Sequence, residues 1–116
     1  MKYEVPDLVI ERKCTTGELA NNLGKKWKPF ERELIRMSKF KHAYIICEFP
    51  IDYLDVFPDK SGIPKNKLSS VRMNSGFLKK RLFESCSKYN IKCLFFNNSQ
   101  DAQKHVVEII NSHVKN

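Results

Sequence analysis

The run Leu8-Val9-Ile10-Glu11-Arg12-Lys13 holds the residue types best suited to chemistry in this chain. Three apolar residues lead straight into an acid, an arginine and a lysine. On a strand, side chains two apart share a face, so Glu11 and Lys13 emerge side by side, about 7 Å apart along the backbone. A carboxylate that can hold a hard divalent cation, beside a fixed ammonium, matches what phosphodiester cleavage needs. The metal polarises the phosphate and helps generate hydroxide, and the lysine offsets the charge of the transition state. Glu-x-Lys also describes an exposed ion pair on a strand end, which contributes little; the apolar run before it favours the chemical reading. Arg12 points to the opposite face, where a structural or phosphate-contact role fits better than chemistry.

A metal site needs further oxygens. Asp7 is the nearest upstream carboxylate and the candidate second ligand. On a regular strand Asp7 and Glu11 lie ~13 Å apart, whereas Mg²⁺ needs oxygens at about 2.1 Å. The pair therefore requires a bulge or kink at Pro6, and the competing reading of Asp7 is a turn residue. Glu48, ending a later apolar run, is placed where open α/β sheets bind ligands. Glu18 and Glu33 read as helix-face acids. His42, His105 and His113 have no mutual ligand spacing and receive no role.

The 116 residues suit one domain, 1–116, with a real core. A hydrophobic fraction of 41% with 11% aromatics is that of a globular chain. No stretch approaches the ~20 apolar residues of a membrane span, and no signal-peptide pattern is present, so no membrane partner is expected. The four cysteines, Cys14, Cys47, Cys86 and Cys93, are dispersed with no C-x-x-C. They read as reduced thiols of a cytoplasmic (the host's, if viral) or nuclear protein. A net charge of +8 favours a polyanionic partner, most simply nucleic acid. The densest clusters are Lys25-Lys26-Trp27-Lys28 and Lys79-Lys80-Arg81. Lys25, Lys26, Lys28, Lys79 and Lys80, with Arg12, are the candidate phosphate contacts. Trp27 reads either as a base-stacking platform or as a core anchor.

The elements that must position these groups follow from hydrophobic periodicity and punctuation. Residues 7–13 read as the first strand. A short helix capped by Thr15 or Thr16 runs to Leu23 and stops at Gly24. A second helix has Pro29 in its first turn and Phe30, Leu34 and Met37 inward. Residues 42–48 form a strand buried on both faces. Residues 50–67 are irregular, with a helical turn or two. A long helix from Ser69 or Ser70 to Tyr89 is expected to bury Phe77, Leu78, Leu82 and Phe83. Residues 91–96 form a third buried strand. A last helix, capped by Asn98 or Ser99, carries Ala102, Val106, Val107, Ile109, Ile110 and Val114. The order β-α-α-β-(α)-α-β-α predicts an α/β three-layer sandwich whose small, mixed and partly parallel sheet is flanked by helices.

Ile10-Glu11-Arg12-Lys13 resembles the V/I-E-R-K signature of XPF-type structure-specific endonucleases, a branch of the PD-(D/E)xK superfamily. The likeness extends through Gly17-Glu18-Leu19, the helix Phe30 to Met37, the strand ending in Glu48, and Tyr89-Asn90-Ile91 leading into Cys93-Leu94-Phe95-Phe96. It is strongest with phage-encoded versions. The resemblance implies a restriction-endonuclease-like core and a Mg²⁺- or Mn²⁺-dependent endonuclease acting on branched or structured DNA, in repair or recombination. Glu11 would be a metal ligand and Lys13 the transition-state lysine, with Asp7 or a carboxylate from elsewhere beside them. Assembly as a homo- or heterodimer is also implied, with the last strand and helix as the candidate interface. The sequence departs from the family in three respects. The family's Gly-Asp strand is expected to be missing, since only ten residues precede Glu11. Glu18 falls one position late, and Glu33, on the helix that the family packs against its active strand, stands where many relatives carry glutamine. A shortened chain, a ligand from a partner subunit, or a degenerate relative that binds DNA without cutting it each fit that expectation. The alternative function is a non-catalytic nucleic-acid-binding or dimerisation module on the same fold.

Overall fold

The computed structural model describes residues 2–115. Its single sheet has four strands in the order β1-β2-β3-β4: β1 Lys2–Val5, β2 Leu8–Lys13, β3 His42–Cys47 and β4 Lys92–Phe95. β1 runs antiparallel to β2, and β2, β3 and β4 are mutually parallel. Helices α1 (Thr16–Leu23), α2 (Trp27–Met37) and α3 (Ser75–Lys88) cover one face, and α4 (Ser99–Lys115) covers the other. The expected three-layer α/β sandwich is therefore present. Among the described residues, no helix is long and apolar enough to cross a membrane.

Strand β1 corrects the expectation that too few residues precede Glu11. Tyr3 and Val5 alternate with Lys2 and Glu4, and a two-residue turn returns the chain into β2. Pro6 presets the first turn position, and Asp7 takes the second at φ 71°, a left-handed conformation that Asp tolerates better than most residues. The Asp7 carbonyl then accepts the His42 N–H at 2.8 Å, aligning the start of β3 with β2.

Alternation along β2 splits its side chains between two cores. Val9 joins Ala43, Ile45 and Cys47 under α1–α3, while Leu8 and Ile10 join Ile46, Ala102 and Val106 under α4. Continuing that alternation, Glu11 and Lys13 fall on the α1–α2 side and Arg12 on the α4 side. Both halves of the motif are thereby fixed by the apolar residues that precede it.

Helix α1 starts with reciprocal hydrogen bonds: Thr15 Oγ1 accepts Glu18 N–H at 3.1 Å, and Glu18 Oε1 accepts Cys14 N–H at 2.9 Å. Gly17 lies directly against the segment 61–63, with its N–H donated to Ser61 O at 3.0 Å. Helix α2 begins at Trp27, two residues before Pro29, which still occupies the first turn where its missing N–H costs nothing. The largest shift concerns α3. Lys65–Ser70, where its start was expected, forms a separate 3-10 turn, and the α-helix begins only after Asn74, whose Oδ1 accepts Phe77 N–H at 2.8 Å. Its buried stripe is Leu78, Leu82, Ser85 and Cys86, leaving Phe77 and Phe83 partly exposed rather than in the core. β4 is likewise a half-exposed edge strand and not a buried one, and Val107 and Val114 of α4 face solvent. All four cysteines are free thiols; Cys47 and Cys93 sulfurs approach to 4.0 Å without bonding covalently.

Candidate active site

The carboxylate of Glu11 and the ammonium of Lys13 pair at 3.4 Å, with side chains only 15% and 8% exposed. This removes the reading of a solvated strand-end pair: two charges so far from water must be held by specific partners. Lys13 Nζ also lies over the Phe30 ring, 5.2 Å from its centroid, so α2 orients it through a cation–π contact.

Glu11 and Lys13 line a cavity of about 370 Å³ together with Lys2, Asn22, Lys26 and Glu33. The register brings Lys2 of β1 directly opposite Glu11, and its ammonium reaches Glu33 at 3.0 Å. Glu33 is gripped on its other side by Arg36, at 3.1 Å through Nε and 2.8 Å through a terminal nitrogen. These hydrogen bonds, Arg36 first and then Lys2, hold the Glu33 carboxyl down at about 2. Arg36 in turn reaches Glu4 of β1 at 2.8 Å, so β1 and α2 are laced by charge. Asn22 Oδ1, an acceptor oxygen of a residue on this same cavity wall, is buried without a hydrogen-bond partner among the described residues.

Glu33 and Asn22 are the residues that sequence reasoning undervalued or missed. Both lie on helices, at positions that only the packing of α1 and α2 against β2 brings to Glu11. The faint signal was Glu33 in a helix expected to pack on the strand; nothing distinguished Asn22.

The expected partnership of Asp7 with Glu11 is not formed. Asp7 sits in the turn before β2, four residues from Glu11, and lines a different cavity of about 420 Å³. That cavity gathers His42, His105 and His113, which their sequence spacing kept apart. His42 and His113 meet edge to face at 6.2 Å, and His113 Nε2 lies 3.1 Å from Pro6 O. Among the described residues, no three His, Cys, Asp or Glu side chains converge as a ready metal site.

Arg12 is nearly buried, and its guanidinium is engaged on the α4 side of the sheet. It pairs with Glu48 at 2.7 Å and donates to the Gln103 side chain and to Ser99 O. Glu48 is thus the counter-charge of Arg12 on the face opposite Glu11.

The basic residues divide into free and engaged. Lys26 lines the Glu11 cavity, Lys25 lines a neighbouring cleft, and Lys28 is exposed in the first turn of α2. Lys79 pairs with Asp55 at 3.0 Å, and Lys80 approaches Glu84 at 3.9 Å. Arg81 stacks between Trp27 and Phe77, 4.2 and 4.8 Å from their centroids, while donating to Leu23 O at 2.8 Å. Trp27 thus carries a guanidinium on one face.

The donor set suits a hard cation in its chemistry: two carboxylates and an unpartnered amide oxygen, with no sulfur or imidazole among them. Lysines 2, 13 and 26 share the rest of the wall with Pro29 and Phe30, so its remaining charge is cationic. No family model, no curated protein and no solved structure matches this chain.

Proposed function

We propose that this protein is a metal-dependent endonuclease domain that hydrolyses phosphodiesters in branched or structured DNA, as the XPF-type resemblance implies. The observation that carries the reading is the buried Glu11–Lys13 pair opening into one cavity with Glu33, Asn22 and Lys26. Glu11, Glu33 and the Asn22 amide oxygen would hold Mg²⁺ or Mn²⁺, in place of the Glu11–Asp7 pair expected from sequence. Once bound, the ion supplies a polarised phosphate and a water acidic enough to yield hydroxide at neutral pH.

The remaining work falls to the chain's own side chains. Lys13, held by Glu11 and the Phe30 face, presents its ammonium to the non-bridging oxygen on which charge builds. With Lys13 only 8% exposed, that interaction is screened less than it would be in bulk water. Lys26, with Lys25 and Lys28 in the same turn, holds the DNA backbone without reading bases, so selectivity comes from DNA shape. Homo- or heterodimer assembly through β4 and α4 is supported by the open β4 edge and by exposed Phe83, Val107 and Val114.

A second reading, a non-catalytic DNA-binding module on this fold, is favoured by Lys2 and Lys13: the ammonium of Lys2 already meets Glu33, and that of Lys13 already meets Glu11. Nicking of supercoiled and branched DNA decides between the two. With Mg²⁺ or Mn²⁺, wild type cuts, and Glu11→Gln and Lys13→Met each lose about 10²-fold or more, the scale of removing one transition-state contact. Binding without cutting by wild type in either metal would sink the enzyme and leave the module.

A further inference from the structure

The cavity of about 420 Å³ lies at the end of β2 away from Lys13, on the sheet face that α4 covers, and shares no lining residue with the Glu11 cavity. His42, His105 and His113, all the histidines of the chain, line it. They come from two elements, the start of β3 and the second half of α4.

Two of the three are tied to the turn before β2. The backbone N–H of His42 donates to Asp7 O at 2.8 Å, and His113 Nε2 lies 3.1 Å from Pro6 O. A carbonyl oxygen only accepts, so Nε2 of His113 carries the proton and donates it, and in the neutral ring Nδ1 keeps its lone pair. Histidines that ligate metals give their other ring N–H to a backbone carbonyl or carboxylate in the same way, which fixes the tautomer and raises the basicity of the ligating nitrogen.

The His42 ring stands beside that of His113, centroids 6.2 Å apart and planes at 81°. An edge-to-face pair is ordinary packing by itself; the carbonyl-set tautomer and the open cavity beside it are features that packing does not require. Metal–nitrogen bonds of about 2.0–2.1 Å put two imidazoles of one tetrahedral ion roughly 5 Å apart between centroids, so the pair has to close by about 1 Å. His42 is exposed at the start of β3 and His113 only half-buried, so a side-chain adjustment suffices.

The surroundings favour a cation. With the imidazoles neutral, Asp7 and Glu108 bring two negative charges to the lining and Lys41 one positive. His105 is engaged elsewhere: its Nδ1 lies 3.7 Å from Glu108, and its ring packs on Phe96 with centroids 5.1 Å apart. Imidazole ligands suit borderline ions such as Zn²⁺ and Ni²⁺, whereas the all-oxygen set at Glu11 suits Mg²⁺ or Mn²⁺.

We propose that His42 and His113 form a second metal site, which takes Zn²⁺ or Ni²⁺ on two imidazoles with water in the remaining positions, its charge offset by Asp7 and Glu108. The bound ion clamps the last turn of α4 to the start of β3 and, through Pro6, to the turn that carries β1. The site uses no residue of the proposed nuclease centre and stands whether or not that reading does.

The test is calorimetric titration of the full chain with Ni²⁺ in excess Mg²⁺, which occupies the oxygen ligands. Wild type takes up one Ni²⁺ per chain. His42→Gln and His113→Gln each weaken binding about tenfold or more, at least the loss that follows removal of a ligand's supporting partner. His105→Gln and Glu11→Gln bind as wild type does. Ni²⁺ also raises the thermal midpoint of wild type but not that of the His42 and His113 variants, whose metal-free midpoints match it because neither side chain belongs to the core. No uptake by wild type, uptake kept by both histidine variants, or an equal loss in His105→Gln or Glu11→Gln overturns the assignment.

Discussion

Lys2 and Glu11 stand opposite each other across the β1–β2 pair, and the Lys2 ammonium reaches Glu33 at 3.0 Å. A fixed cation therefore lies among the oxygens proposed to hold a divalent ion. A competitor of this kind weakens metal binding by the free energy of the contacts it must surrender. Lys2→Met is expected to bind Mn²⁺ several-fold more tightly in calorimetric titration, provided Glu33 is intact. Unchanged affinity would mean that Lys2 and the ion use different oxygens.

Glu33 gives a pH signature. Arg36, and behind it Lys2, lowers its carboxyl from about 4.5 to about 2 on folding. A carboxyl depressed in the folded state stabilises the protein above its unfolded value and loses that contribution as pH falls from about 4.5 towards 2. With the group open to solvent on one side, screening reduces the effect to about 1 kcal/mol. Urea unfolding across this range should show a steeper acid loss in wild type than in Glu33→Gln.

Arg12 offers a clean separation of structure from chemistry. Its guanidinium faces Glu48, Gln103 and the start of α4, on the sheet face opposite Glu11. Arg12→Ala leaves Glu48 without its partner in a largely dry place and should cost about 3 kcal/mol, a thermal midpoint lower by roughly 10 °C or more. At a temperature where the variant remains folded, nicking and DNA affinity should stay within a few-fold of wild type. A large loss of DNA affinity in a folded Arg12 variant would instead make it a phosphate contact.

Gly17 marks a place where backbone meets backbone. A Cβ there would lie 2.5 Å from Ser61 O, and a carbonyl tied into its own loop cannot step aside as a side chain can. Gly17→Ala should therefore destabilise by about 1–3 kcal/mol despite its better helix propensity. Thermal melts check the sign: a stabilised variant would show that segment 61–63 yields freely.

The buried parts of the fold were readable because their signals are local. Ala43 to Cys47 forms a continuous apolar run, Thr15 caps α1, and Phe30, Leu34 and Met37 repeat at helical spacing. Strand β1 was legible too, in the Lys-Tyr-Glu-Val alternation before Pro6-Asp7, but two partly buried residues on an edge strand give a faint pattern. For α3, Ser69 and Ser70 have the residue type of a cap, but it is Asn74 whose side chain accepts the N–H three residues on, that of Phe77. The site was half legible. Glu11 and Lys13 are tied by strand period, whereas Glu33 and Asn22 join them through the packing of two helices, a distance that sequence does not encode. Asp7 carried two readings, a ligand and a turn residue, and its left-handed backbone in the turn before β2 agrees with the second.

β1 hydrogen-bonds to one neighbour only and leaves half of its side chains in water. Strands of that kind open locally at a fraction of the global unfolding free energy. Because Lys2 and Glu4 ride on it, each such opening would also withdraw one positive and one negative charge from beside Glu33 and Arg36. Slow amide exchange in β2 and β3 with rapid exchange in β1 would thus report a switching electric field over the Glu11 cavity, in which Glu33 alternates between a lysine-bound and a lysine-free state while Glu11 keeps Lys13 and the sheet beneath them stays closed.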